Sequence, residues 1–252
     1  MTSSHSEPVV TAAVLVIGDE ILSGRTRDRN LAFLAGYLTE IGMELREARV
    51  VADQERAIVD AVNALRQRYD YVFTTGGIGP THDDITAISI ARAFDTPLSE
   101  HEEALAILRR HYGEKGLTPA RRLMARIPEG GELIDNPVSK APGFMIGNVI
   151  VTAGVPEICQ AMVLAVTPRL RKGRKMLSRS LRIDGKESEI AGLLAQHQAL
   201  SDQVSIGSYP FFREGHFGVV IILRGTSEPE VERVRRSLAA ALTGQGYAIH
   251  TD

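Results

Sequence analysis

The run Val9 to Ile17 (VVTAAVLVI) constrains this chain most: a largely apolar stretch, rich in β-branched residues, without polar alternation. Such a run suits a strand buried on both faces of a parallel sheet, and parallel strands need crossover helices between them. The residues that follow supply them. Leu31, Leu34, Leu38 and Ile41 recur at helical spacing before Gly42, a residue suited to a C-terminal cap. Leu45 to Val51 reads as a second strand. Asp53 stands at an N-cap position ahead of Ile58, Ala61, Val62 and Leu65, which share one helical face. Tyr71 to Thr75 reads as a third strand. Strand, helix, strand, helix, strand by residue 75 is the pattern of right-handed βαβ crossovers, so the fold class is α/β, a three-layer, mostly parallel sheet.

Further helices are predicted at Ile85 to Phe94, at Glu100 to Tyr112 and after Thr118-Pro119, where Thr caps and Pro takes the first helical position. Met145 to Thr152 reads as a hairpin turning at Gly147-Asn148, and Pro156 opens a helix toward Leu170. Met1 to Pro8 reads as a loose polar tail. The basic run Arg169 to Lys175 marks a boundary between a domain at 9–172 and a small α+β domain at 173–252. In the latter, strands are expected at Leu181 to Ile183, Val204 to Ser208, Phe217 to Leu223 and Tyr247 to His250. Helices are expected at Glu187 to Leu200 and after a capping box at Ser227 to Glu230. That order suggests a split βαβ unit, ferredoxin-like or K-homology-like.

Composition narrows the partners. The 252 residues hold 29 Lys plus Arg against 31 Asp plus Glu, a net charge of −2. No whole-chain positive field therefore argues for nucleic acid or an anionic membrane. The small domain also lacks the Gly-x-x-Gly loop with which K-homology modules clamp a nucleotide backbone. The basic run reads as a solvated linker. No stretch approaches the roughly 20 apolar residues of a membrane span. No Lys or Arg precedes Val9, unlike the basic start of a signal peptide. Cys159 is the one cysteine, which excludes an intrachain disulfide and a multi-Cys metal site and fits a reducing, cytoplasmic setting. Within an apolar helix it reads as a packed side chain.

Ligands of open α/β sheets bind beyond the carboxyl ends of the strands. The first strand ends in Gly18-Asp19-Glu20-Ile21-Leu22-Ser23-Gly24, and the third runs through Thr74-Thr75-Gly76-Gly77-Ile78-Gly79-Pro80-Thr81-His82-Asp83-Asp84-Ile85-Thr86. Three glycines with flanking threonines let backbone N–H groups converge on an anion at a helix start, the means of holding phosphate. Neither a P-loop nor a dinucleotide fingerprint is present. Asp83 and Asp84 beside phosphate imply a bridging divalent cation, Mg²⁺ or Co²⁺, because Mg²⁺ takes one or two carboxylates together with phosphate oxygens. Asp19, Glu20, Asp83 and Asp84 are its candidate ligands. His82 is placed to contact phosphate or move a proton.

Gly18 to Gly24, Asp53 and the string Thr75 to Thr86 resemble the molybdopterin-binding domain family of the MoaB and Mog type. In motif they stand closest to the amino-terminal domain of CinA proteins and the matching domain of animal FAD synthases. The resemblance spans about residues 11 to 170. It implies a phosphorylated small-molecule ligand at the glycine loop: ADP-ribose, FAD or molybdopterin. CinA-type and FAD-synthase-type members hydrolyse the pyrophosphate of ADP-ribose or FAD with a divalent metal, and the motif places this chain with them. Mog-type members adenylylate molybdopterin through acids matching Asp53 and Asp84. A non-catalytic ligand-binding protein is a third reading. Catalytic roles accordingly fall to Asp84, Asp53 and Asp83. Ligand binding falls to Gly18, Asp19, Glu20, Thr75, Gly76, Gly77, Gly79, Pro80, Thr81, His82, Lys140 and Gly154. Relatives form dimers or trimers, so a homo-oligomer is expected. Two departures stand out. Ala153-Gly154-Val155-Pro156 replaces the family's Pro-Gly-Val/Ile-Pro, and Ser139 stands where a glycine is usual, beside Lys140.

Overall fold

A computed structural model describes residues 9–213 and 215–250. The tail expected at Met1 to Pro8 lies outside the described residues. The chain divides into two compact units, Met1–Gly173 and Arg174–Asp252.

The first unit runs β1 (Val10–Ile17), α1 (Asp19–Leu22), α2 (Asn30–Glu40), β2 (Met43–Val51), α3 (Glu55–Arg68), β3 (Tyr71–Thr75) and α4 (Thr86–Ala93). It continues through β4 (Leu98–Glu100), α5 (Glu102–Gly116), α6 (Pro119–Leu123), β5 (Arg126–Pro128), β6 (Glu132–Ile134), β7 (Gly143–Ile146), β8 (Val149–Thr152) and α7 (Pro156–Val166). Six strands form one sheet in the order β2-β1-β3-β8-β7-β6. β2, β1, β3 and β8 are parallel, and β7 runs antiparallel to both of its neighbours, β8 and β6.

The continuous apolar run of β1 has the environment its composition demands. Ala13, Leu15 and Ile17 pack on one face against Ile58, Val62 and Leu65 of α3 and Ile90 of α4. Val10, Ala12, Val14 and Val16 pack on the other, against Leu34 and Leu38 of α2 and Met162, Val163 and Val166 of α7. Helices on both faces make three layers, and both faces of β1 leave water. The edge strand β2 is guarded by the ion pairs Glu44–Arg46 (2.8 Å) and Glu47–Arg49 (2.6 Å), charges that oppose pairing with another chain.

Two local expectations are corrected. Asp53 does not cap α3, whose N-cap is Gln54 without a side-chain bond. The helix toward Leu170 ends at Val166, followed by a single 3₁₀ turn at Thr167–Arg169. The basic run does not form one free stripe: Arg169 bonds Glu132 at 2.9 Å and Arg171 bonds Asp70 at 2.7 Å.

The second unit runs β9 (Leu177–Asp184), α8 (Glu187–Ala199), β10 (Val204–Arg213), β11 (His216–Gly225), α9 (Glu228–Gly244) and β12 (Ile249–His250). Its sheet order is β10-β11-β9-β12, all antiparallel. That is the ferredoxin-like form of the split βαβ unit. The hairpin strands are longer than the apolar pattern suggests because Pro210 pairs within β10, an edge strand, where a missing N–H can face away from the ladder. The capping box at Ser227 is absent: the Ser227 side chain makes no cap bond, and Glu230 instead accepts from Ser201 Oγ (2.9 Å) and Arg233. No helix of the described residues is long and apolar enough to cross a membrane.

Candidate functional site

The carboxyl ends of β1, β3 and β8 meet where glycine is required. Gly76 leaves β3 at φ +102°, donates its N–H to Thr152 O (3.2 Å), and would place a Cβ 2.2 Å from Ile17 O. Gly77 follows at φ +66°, its Cβ position 2.2 Å from Thr86 Oγ1. Thr86 clamps the turn, its hydroxyl donating to Gly76 O and its N–H to Gly77 O, each at 2.9 Å. Among the described residues the N–H groups of Gly77, Ile78 and Gly79 make no hydrogen bond. Successive free amides in a left-handed turn form an anion nest.

Two acids rest against glycines at this edge. The Glu20 carboxylate folds back over Gly18, where a Cβ would lie 2.6 Å from both its oxygens. Asp84 Oδ2 lies 2.6 Å from the Cβ position of Gly79, and accepts the Thr81 N–H at 2.8 Å and the Thr81 hydroxyl. One Asp84 oxygen is thus fixed while the other stays available. Glu20 and Asp84 line a cavity of about 700 Å³ together with Gly76, Gly77, Gly79, Pro80 and Gly154. Asp84 and Gly79 also border a smaller cavity of about 240 Å³, into whose wall Thr81 and His82 fall.

The other predicted residues are placed differently. Asp53 Oδ2 accepts the backbone N–H of Asp19 at 2.9 Å, tying α3's approach to the first turn of α1. Burial pushes the Asp53 carboxyl above its ordinary range; the Asp19 N–H opposes this, and the charges of Asp19, Glu20 and Asp83 add to it. Neither Asp53, Asp19 nor Asp83 lines the two cavities. Asp83 turns toward His82, whose ring is almost wholly exposed, at 3.8 Å. Thr75 is buried beneath the loop, and its hydroxyl has no partner among the described residues. Lys140, read as a phosphate ligand, is exposed at φ +66° and does not line the cavity. It takes the left-handed corner of the turn, and its neighbours Ser139 and Ala141 face the cavity instead.

Sequence reading missed Asn136 and Asn30. Buried Asn136 builds the Ser139–Lys140 turn: its Oδ1 accepts from Val138 and Ser139, and its Nδ2 donates to Ser139 Oγ and Ala141 O. Asn30 donates to Gly154 O at 2.8 Å, across 124 residues of chain, and its buried Oδ1 has no partner among the described residues. The Asn-Pro pair at 136 was a turn signal available in the sequence. Nothing local could place Asn30.

Among the described residues no group of three or more His, Cys, Asp or Glu is arranged to hold a metal ion. The four candidate acids therefore do not form one cage: Glu20 and Asp84 line the cavity, and Asp19 and Asp83 do not. Two carboxylates beside an amide nest fit a hard cation that completes its shell with phosphate oxygens and water.

Residues 13–172 match the family described as "Probable molybdopterin binding domain", and residues 175–249 match "FAD synthase, middle domain". The chain belongs to the molybdopterin-binding domain family. Within it the chain is CinA-like: it is similar to the crystal structure of the protein CinA from Thermoplasma acidophilum at 38% identity and a TM-score of 0.61, covering 64% of this chain and 98% of that one. It is 31% identical to the probable FAD synthase of Caenorhabditis briggsae over 93% of this chain and 50% of that protein. A protein of Pyrococcus abyssi is 33% identical, with 88% of this chain and 93% of the relative covered. The chain spans half the length of the nematode relatives.

Proposed function

We propose that this chain hydrolyses the pyrophosphate bond of an ADP-containing dinucleotide, ADP-ribose or FAD, with a divalent metal. The observation that carries the reading is the meeting of an unbonded amide nest, Gly77 to Gly79, with two carboxylates, Glu20 and Asp84, on one cavity. Free amides bind a phosphate by its oxygens, and carboxylates there would repel it without a cation between them. Glu20 and Asp84 would hold the metal, which when bound neutralises the charge that develops on the phosphates.

The chain's own parts do the rest. Thr81 fixes one oxygen of Asp84, so its free oxygen faces a constant direction. Asp53 holds the Asp19 N–H and thereby positions Glu20; it is a positioning residue. The cavity volume, about 700 Å³, suits a nucleotide-sized ligand. Names of FAD synthase relatives support a nucleotide, whereas the family's description favours a pterin. Incubation with ADP-ribose, FAD, NAD or ATP plus Mg²⁺, Co²⁺ or chelator, with AMP read by chromatography, tests the proposal. Metal-dependent AMP release from ADP-ribose or FAD is expected. Pterin-dependent exchange of ATP with no AMP from dinucleotides would support adenylyl transfer to molybdopterin instead.

A further inference from the structure

The lining of the large cavity includes one cationic side chain among the described residues, Arg121, and two acids, Glu20 and Asp84. Its surroundings are built to hold it. Gly113 breaks α5 at φ +70°, immediately after Tyr112. The guanidinium then lies 4.0 Å from the centre of the Tyr112 ring, and Nη1 donates to Gly116 O at 2.7 Å. A Cβ at Gly116 would sit 3.3 Å from Tyr112 Cβ and 3.5 Å from Arg121 Nη1, so glycine leaves the room the stack occupies. Thr118 caps α6, its hydroxyl accepting the Arg121 N–H at 3.3 Å, and Pro119 opens the helix.

Arg121 has no carboxylate partner among the described residues, unlike its neighbours. Arg122 is bound by Glu100 at 2.9 and 2.5 Å, and Arg109 by Glu114 at 2.8 Å. A half-buried guanidinium held by an aromatic face and one carbonyl keeps several donors free, in the fork geometry that matches phosphate. Glu20 and Asp84, holding a metal, would together with the amide nest account for one phosphate of a pyrophosphate. The second phosphate needs a counter-charge that nothing else on the wall supplies.

We infer that Arg121, stacked on Tyr112, binds the second phosphate and makes the site selective for pyrophosphate-linked over single-phosphate nucleotides. This rests on the dinucleotide reading above. Calorimetric binding of ADP-ribose, as its non-hydrolysable α,β-methylene analogue, and of AMP, each with Mg²⁺, to wild type, Arg121→Gln, Arg121→Lys and Tyr112→Leu tests it. Arg121→Gln should weaken ADP-ribose about ten- to a hundredfold, the scale of a charge-assisted bond, and AMP less than about threefold. Arg121→Lys should recover part of the loss, and Tyr112→Leu should fall between.

Unchanged ADP-ribose affinity in Arg121→Gln, or equal loss for both ligands, overturns the inference. So does a wild type that binds neither ADP-ribose nor FAD. Arg121-dependent binding of ADP-ribose without AMP release would refute hydrolysis while upholding the phosphate role. AMP release unaltered in Arg121→Gln would do the reverse.

Discussion

Asp53 accepts the backbone N–H of Asp19 at 2.9 Å, so an acid that looks from its sequence position like a helix cap instead locks the loop after the neighbouring strand. Its carboxyl is raised by burial and by the acids around it. A raised acid disfavours the charged form in the fold, so the folded state gains stability as pH falls through Asp53's folded value toward its ordinary one. Asp53→Asn keeps an acceptor and removes the charge; it should hold or raise the Tm at pH 7. Asp53→Ala loses the acceptor and should cost about 0.5–1.5 kcal/mol. Thermal melts of both variants against pH check the sign.

The glycine loop gives a sharper contrast. Gly76→Ala must fit a Cβ 2.2 Å from Ile17 O at φ +102°, where neither backbone can yield without disturbing the sheet. A loss of at least about 1–3 kcal/mol is expected. Gly36 lies exposed inside α2 with nothing within 4 Å of its Cβ position, so Gly36→Ala should stabilise by roughly 0.5–1 kcal/mol. Urea titrations of the two variants should move in opposite directions.

How far the sequence speaks depends on the range of the interaction. The three strands and two helices up to Thr75 were legible because β1 carries apolar residues on both parities, and that pattern has few structural solutions. Gly76, Gly77 and Asp84 were legible as parts of one glycine-rich turn at a strand end because they lie close together in the sequence. The role of Asp53 was not, since its partner Asp19 is 34 residues away and competes with the cap that local rules assign. Lys140 and Ser139 exchanged expected places because the left-handed turn falls on the lysine, a choice made by Asn136 beneath them. Tyr112 and Arg121 line one cavity across the break at Gly113, a meeting that the helix predicted as far as Tyr112 does not disclose.

Cys159 is buried against Thr152, at 3.4 Å from its hydroxyl, and burial pushes its thiol up to about 11. Thiolate, not thiol, reacts with alkylating reagents. Labelling by iodoacetamide at pH 8 should therefore be slow in the native protein and rapid in denaturant. Fast native labelling would show that the α7 packing opens readily.

In the second unit Glu230 is held at about 2 by Arg233 and then by Ser201. A depressed acid gives stability that is full above the ordinary glutamate value, about 4.3, and is lost as pH falls toward that folded value. Glu230→Gln should lower the Tm at pH 7 and flatten its fall between those limits. Because the pair is partly exposed, salt should shrink the difference.

In the proposed reaction Asp84, fixed by Thr81 beside the amide nest, serves metal-dependent cleavage of a dinucleotide pyrophosphate. Measurement of AMP release from ADP-ribose and FAD at saturating Mg²⁺ or Co²⁺, wild type against Asp84→Asn, tests it most directly. Release by wild type that chelator abolishes is expected, with a fall of at least about a hundredfold in kcat for Asp84→Asn, the scale for losing charge stabilisation at a reacting centre. Undiminished release by Asp84→Asn, or none from wild type with either metal, would contradict it.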